Sequence, residues 1–309
     1  MQPSAVANTT NLTASPSQFY SWQNYRCAYE VHQPINTTSE GIPLLLIHPI
    51  GVGLSRRFWQ RFCREWYSTG QRNSIYNPDL LGCGESDMPR IAYTPSDWAE
   101  QLQSFLQTVV QKPVIVVVQG ALLPVAIQLV QKESNLIAGL VLSGPPTWAL
   151  MTNKPPKWQE KFLWNVLDSP FGSAFYRYAR TPKFLRSFSI RQLFASENAV
   201  DAEWLNTLLA GAENPASRHA VFSFLAGFWR DDYTSFMASI GQPTLIVMGE
   251  TASSISQDNK KETPDERLAH YLACFPKNRG IKINGRNVLP YESTTEFVAA
   301  IATFINEVS

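Results

Sequence analysis

The sequence predicts an α/β domain: a largely parallel sheet with helices on both faces and a helical insertion before its last strands. Three observations carry this. Short, fully apolar runs such as IPLLLI (Ile42 to Ile47) and VIVVV (Val114 to Val118) read as strands buried on both sides. Up to residue 144 they alternate with amphipathic segments, the pattern of β-α-β units. From 145 to 240 the alternation gives way to helical patterning with Pro and Gly breaks, and it resumes at Gln242. The 309 residues, 44% apolar and 17% charged, exclude a solvated disordered chain. A mean hydropathy of −0.16 and the lack of an apolar run near eighteen residues exclude a membrane span. With 26 Lys and Arg against 25 Asp and Glu, the net charge is +1 and no basic block appears. Nucleic acid and anionic lipid are therefore not expected partners.

In chain order, residues 1–17 read as a polar Ser/Thr/Asn tail and 18–144 as the first part of the α/β core. From Phe19 the stretch YSWQNYRCAYEV alternates like a strand or hairpin. Ser55 is a candidate cap for a helix that sets Phe58, Trp59, Phe62, Cys63 and Trp66 on one stripe. Arg56, Arg57, Arg61 and Arg64 fall off it, on an expected solvated face. Next come a strand and loop from Asn73, a helix from about Pro95 to Val110, a strand at Val114 to Val118, a helix from about Ala121 to Lys132 and a strand at Ala138 to Leu142. Residues 145–240 form the helical insertion, which holds 18 of the 37 aromatic residues and is expected to turn them inward. Residues 241–309 complete the core with PTLIVMG, a helix near Arg267 to Cys274, a weak strand at Ile281 to Ile283 and a closing helix from about Ser293 to Val308.

Four widely spaced cysteines and four histidines without ligand spacing argue against a metal site or a disulfide framework. No cation precedes Arg26 and no apolar h-region follows, so a cytoplasmic protein is expected and the N-x-T triplets at Asn8, Asn11 and Asn36 carry no weight.

From Phe19 to Val308 the chain resembles the α/β-hydrolase family. The resemblance rests on LLLIHPIGVG from Leu44, DLLGCGESDMP from Asp79, the strand–turn–helix VIVVVQGALLPVAIQLV and PTLIVMGE. It implies an eight-stranded, mostly parallel sheet with a helical cap. In that family a G-x-S-x-G elbow exposes a nucleophilic Ser, followed in chain order by an acid and a His. Here the Ser position falls on Gly120, the acid position on Ala252 and the His position on Val288. Val118 and Leu122 replace the flanking glycines, which suggests a relaxed turn. The backbone N–H groups of Ile50 and Ala121 occupy the oxyanion-hole positions, and His48 has the place of a structural His beside them. Cys83, Ser143 and Glu250 are alternative functional side chains at the cleft.

With the triad acting as a unit, these substitutions imply a noncatalytic protein. It would bind a hydrophobic small molecule in an enclosed pocket under the cap, or serve as a scaffold or regulator with a protein partner, with no cofactor. The alternative is a hydrolase or esterase of lipid-like esters, or a cofactor-free reaction, using a rearranged site. Gly120, Ala252 and Val288 are expected to converge at the cleft.

Overall fold

A computed structural model describes residues 16–34, 38–255 and 261–309. The expected tail, apart from Pro16 and Ser17, and the triplets at Asn8, Asn11 and Asn36 lie outside the described residues. Eight strands form one sheet in the order β1-β2-β4-β3-β5-β6-β7-β8. They are β1 (Gln18–Trp22), β2 (Tyr25–His32), β3 (Leu44–Ile47), β4 (Ile75–Pro78), β5 (Val114–Gln119), β6 (Ile137–Ser143), β7 (Thr244–Gly249) and β8 (Asn278–Ile283). β1 and β2 run as an antiparallel hairpin onto β4, and every pairing from β4 to β8 is parallel. The hairpin turns on Gln23 and Asn24, both with positive φ, as a two-residue loop matched to the strand twist requires.

Core helices cover both faces. Helices α1 (Gln60–Ser68) and α13 (Thr294–Val308) pack on one side, α2 (Pro95–Phe105), α3 (Leu123–Lys132) and α11 (Pro264–Cys274) on the other. β5 shows why its sequence is continuously apolar: Val114, Val116 and Val118 join one core cluster and Ile115 and Val117 the other. Helices α2 and α11 each start with a reciprocal capping box, Thr94 with Asp97 and Thr263 with Glu266, and a proline in the first turn. Beyond Phe105 the predicted helix continues to Val110 as a single π turn, closed by Gln111 at φ +55°.

Ser55 does cap, but it opens a 3₁₀ turn, Arg56–Trp59, before α1 begins. The 3₁₀ phase differs from that of a helix running from residue 56, and it turns Arg56 inward. The Arg56 side chain is 1% exposed and pairs with Glu30 and Asp79, which corrects the expected solvated face. Arg57 and Arg64 remain largely exposed.

Between β6 and β7 lie α4 (Trp148–Thr152), α5 (Lys157–Leu167), α6 (Pro170–Ala179), α7 (Pro182–Phe188), α8 (Ala202–Gly211), α9 (Arg218–Ala226) and α10 (Thr234–Ala238). The aromatic residues of this insertion do not all turn inward as expected. Phe222 is buried, but Trp158, Phe162 and Phe175 are exposed, because α5 rests on α9 and α6 with its other side open to solvent. Helix α8 is fixed to α1 by Arg61, which donates to Asp201 at 2.6 Å and Glu203 at 2.7 Å and lies over the Tyr291 ring. It also meets the loop after β3 backbone to backbone. A Cβ on Gly53 would lie 1.9 Å from the Leu208 carbonyl oxygen, and one on Gly211 2.1 Å from that of Gly53. The second clash gives a directional expectation. Gly→Ala inside a helix ordinarily stabilises by about 1 kcal/mol, but Gly211→Ala should destabilise by about 1–3 kcal/mol through overpacking, read as a lower urea midpoint.

Candidate functional site

The C-terminal tips of β3, β5, β6, β7 and β8 face the cap, where ligands bind in open parallel sheets. At the tip of β5, Gly120 has φ +65°, and a Cβ built on it meets no heavy atom within 4 Å. The turn has therefore not relaxed, contrary to the expectation from its bulky neighbours. Val118 and Leu122 point into the core and leave the elbow conformation undisturbed. The space above the strand tip is open, and no side chain is aimed into it from position 120.

The loops after β7 and β8 run side by side. A Cβ on Gly249 would lie 2.3 Å from the Arg286 carbonyl oxygen, so that position needs glycine. The Thr251 N–H and hydroxyl both donate to the Gly285 carbonyl, at 3.1 and 2.9 Å. The immediate neighbours of the three positions read as a triad are joined directly. The Gln119 amide donates to the Asn287 carbonyl at 2.7 Å. The Asn287 amide donates to the Ser253 carbonyl at 3.1 Å and to that of Gln192 at 2.7 Å. The Arg286 guanidinium donates to the Ser253 hydroxyl at 2.9 Å and to the Arg191 carbonyl at 2.9 Å. Ala252 is buried and caps the β7 tip through a 3.0 Å bond to the Gly249 carbonyl. Val288 is 3% exposed and belongs to an apolar cluster with Leu193, Phe194 and Tyr291. Sequence reasoning passed over Gln119, Arg286 and Asn287, although consecutive polar residues in GRNVLP were a visible sign of a loop with hydrogen bonds to satisfy.

His48 is fully buried at the tip of β3. Its Nδ1 lies 2.8 Å from the Pro49 carbonyl and its Nε2 accepts from the Leu80 N–H at 3.1 Å. That pattern assigns a neutral ring with the proton on Nδ1. Burial holds the ring's pKa below its ordinary value, against the pull of Asp79. Both nitrogens are engaged, so His48 braces the loop and has no lone pair left for a base. Ile50 is buried beside it and Ala121 is half-buried. Cys83 is buried, and burial reinforced by the Asp79 charge raises its thiol pKa, the opposite of an activated thiolate. Ser143 pairs in register with Gln119; its hydroxyl and the side-chain amide oxygen of Gln119 are buried without a hydrogen-bond partner among the described residues. Glu250 is exposed and donates its backbone N–H to Ile283.

One acid–His–Cys grouping exists elsewhere. His32 interacts with Cys63 and, at 3.2 Å, with Glu30. All three are buried, and His32 pairs with Ile75 at the start of β4, so the grouping lies at the end of the sheet opposite the strand tips. Among the described residues no group of three or more His, Cys, Asp or Glu could hold a metal.

The DLLGCGES loop is held from below by charge. Arg56 donates from its backbone N–H to Asp79 Oδ1 at 2.8 Å, from Nη1 to Asp79 Oδ2, and from Nε to Glu30 at 3.0 Å. Burial pushes the Glu30 carboxyl up, but the His32 hydrogen bond and the Arg56 charge outweigh it and leave the pKa below the ordinary value. A depressed folded-state pKa gives stability that is present above the unfolded value, about 4.3 for Glu, and is lost as pH falls through the folded one. Glu30→Gln should therefore shrink the stability difference between pH 7 and pH 3 in urea titrations. Asp79→Ala removes the most buried partner of the guanidinium and should destabilise at pH 7 by about 3 kcal/mol.

Residues 44–301 match the profile of the alpha/beta hydrolase family, and the chain belongs to it. Solved structures share the fold across nearly the whole chain. A thermophilic esterase from Thermogutta terrifontis is 19% identical with a TM-score of 0.71, covering 95% of this chain and 99% of its own. A serine hydrolase involved in carbazole degradation is 18% identical at TM-score 0.71, covering 95% and 100%. An enol-lactonase from Burkholderia xenovorans is 11% identical at TM-score 0.70, covering 94% and 100%. At these identities the likeness is one of fold. No curated protein sequence matches significantly.

Proposed function

We propose that this chain is a noncatalytic member of the α/β-hydrolase family, a cytoplasmic protein that binds a hydrophobic small molecule or acts as a scaffold or regulator, with a cleft that offers backbone donors but no reacting side chain. The observation supporting it most directly is the elbow. Gly120 keeps the left-handed turn, yet among the described residues no heavy atom beyond its chain neighbours lies within 4 Å of where its Cβ would be, and His48, at the neighbouring tip, spends both nitrogens on backbone. Ala252 and Val288, at the acid and base positions, have methyl groups where a triad needs a carboxylate and an imidazole. Two depressions among the described residues are surface grooves, one of about 280 Å³ lined by Lys183, Arg186, Ser187, Ile190 and Arg191 and one of about 570 Å³ lined by residues including Arg57, Glu203 and Asn206. Neither is lined by Gly120 or His48, and the space above Gly120 is open.

The second reading, a hydrolase of lipid-like esters, draws on specific observations. The chain belongs to a family of hydrolases and shares the fold of esterases, the left-handed elbow persists with open space above it, and the Ser143 hydroxyl is buried without a hydrogen-bond partner among the described residues. Assays with p-nitrophenyl acetate and long-chain p-nitrophenyl esters separate the two. The noncatalytic reading expects turnover of at most about 10³ to 10⁴ over water, what donors and binding alone leave, and no labelling by a fluorophosphonate. Saturable turnover that survives Gly120→Val and is abolished by Ser143→Ala or Cys83→Ala would overturn it.

A further inference from the structure

Helix α5 is anomalous for a soluble protein, because it contains six large apolar residues and none of its residues is buried. Trp158, Phe162 and Val166, spaced i, i+4, i+8, form one outward stripe, 70%, 60% and 45% exposed. The following helix repeats the feature with Phe171, Phe175 and Tyr178, 83%, 41% and 62% exposed. The two helices form a tight hairpin, since a Cβ on Gly172 would lie 1.7 Å from the Leu167 carbonyl oxygen. The inner side of α6 is used for packing: Tyr176 bonds Ser217 at 2.7 Å and meets the Phe222 ring. Of the outward residues only Tyr178 meets another ring, that of Phe184, among the described residues. Exposed apolar stripes of this size on neighbouring helices mark an interaction site.

The charge around the stripes identifies what covers them. Residues 154–191 contain eight Lys or Arg and two acids, a local charge of +6. The whole chain carries +1, so everything outside this segment carries −5. The overall balance that argued against anionic lipid thus conceals a strongly polarised molecule. Lys154 and Arg186 pair with Asp231 and Glu197, whereas Lys157, Lys161, Arg177 and Lys183 make no ion pair among the described residues. Lysine is depleted in protein–protein interfaces, and two copies of a segment carrying +6 would repel. Exposed Trp and Phe flanked by Lys and Arg on helices lying along the surface are the composition of an interfacial membrane element.

We propose that the α5–α6 hairpin is a peripheral membrane-binding element that docks this protein on anionic phospholipid bilayers. The aromatic stripes enter the boundary between headgroups and acyl chains while Lys157, Lys161, Arg177 and Lys183 meet lipid phosphates. No helix among the described residues is long and apolar enough to cross a membrane, so the attachment is to one face of the bilayer. The exposed stripes include none of the residues read as a triad, and the test needs no ester turnover, so the proposal stands whichever reading of the cleft holds.

Flotation of the full chain with vesicles of phosphatidylcholine plus phosphatidylglycerol, and with phosphatidylcholine alone, tests it. The protein should float with the anionic vesicles, much less with the neutral ones, and be released as salt rises to about 0.5 M and shortens the screening length. The exposed-site variant W158E/F162E/F171E should abolish flotation, and K157E/K161E should weaken it about tenfold or more, with circular dichroism and thermal midpoints near those of the wild type. Lack of binding to anionic vesicles, or binding that ignores these substitutions, overturns the proposal. So does a vesicle-independent dimer, measured by light scattering, that W158E/F162E/F171E dissolves, which would give the face to a second copy.

Discussion

A single buried cation organises the half of the molecule that carries the loops around the cleft. Arg56 lies under the sheet edge with Glu30 and Asp79, and removing such a charge from water is unfavourable unless its donors are met. They are met thoroughly. Its Nε reaches Glu30, Nη1 reaches Asp79, and Nη2 reaches Ser17 and Glu85. Its backbone joins in, with the N–H donating to Asp79 and the carbonyl accepting from Asn77. Asp79 also accepts the Glu85 N–H at 2.8 Å, so the DLLGCGES loop wraps around one carboxylate. Gly84 sits so close to that carboxylate that a Cβ would overlap it, which explains a glycine there independently of any chemistry at the cleft. From the same loop, the Leu80 N–H fixes His48, and Ser86 ties β2 to the loop through Ala28. The antiparallel hairpin, the first long loop and the tip of β3 therefore share one electrostatic anchor.

At the cleft, what persists is backbone. The left-handed elbow at Gly120, the loop braced by His48 and the close approach of the β7 and β8 loops are all set by main-chain geometry. The side chains at positions 252 and 288 serve packing, and their neighbours Ser253 and Asn287 bond each other and the cap segment near Gln192. A scaffold that needs its loops fixed for folding keeps such geometry whether or not a reaction is carried out.

The buried strands at Leu44, Val114 and Thr244 were legible because they follow from local pattern, continuous apolar runs for strands covered on two faces. Arg56 was not legible, because an angular plot assumes one helix from its first residue, and a 3₁₀ turn of four residues shifts the phase. The elbow was misjudged because Val118 and Leu122 face the core, where bulk is welcome, and do not crowd the turn. Composition counted the aromatic residues of the cap, but whether a given stripe faces in or out depends on what lies beyond it. For α5 that is α9 and α6 on one side and solvent on the other.

The contact between Gly53 and Gly211 has a mechanical meaning. Two main chains at this distance have no side chain between them to swing aside, so the loop after β3 and the end of α8 can part only by losing their contact at once. Helix α8 is thereby part of the rigid body of the core, though it lies in the insertion. The hairpin of α5 and α6 meets the core through side chains instead: Trp164, Leu167 and Tyr176 cluster with Val52 of the loop after β3, and Arg90 bonds Asp168 at the hairpin turn. The insertion thus joins the core by main chain at one end and by side chains, which can repack, at the other.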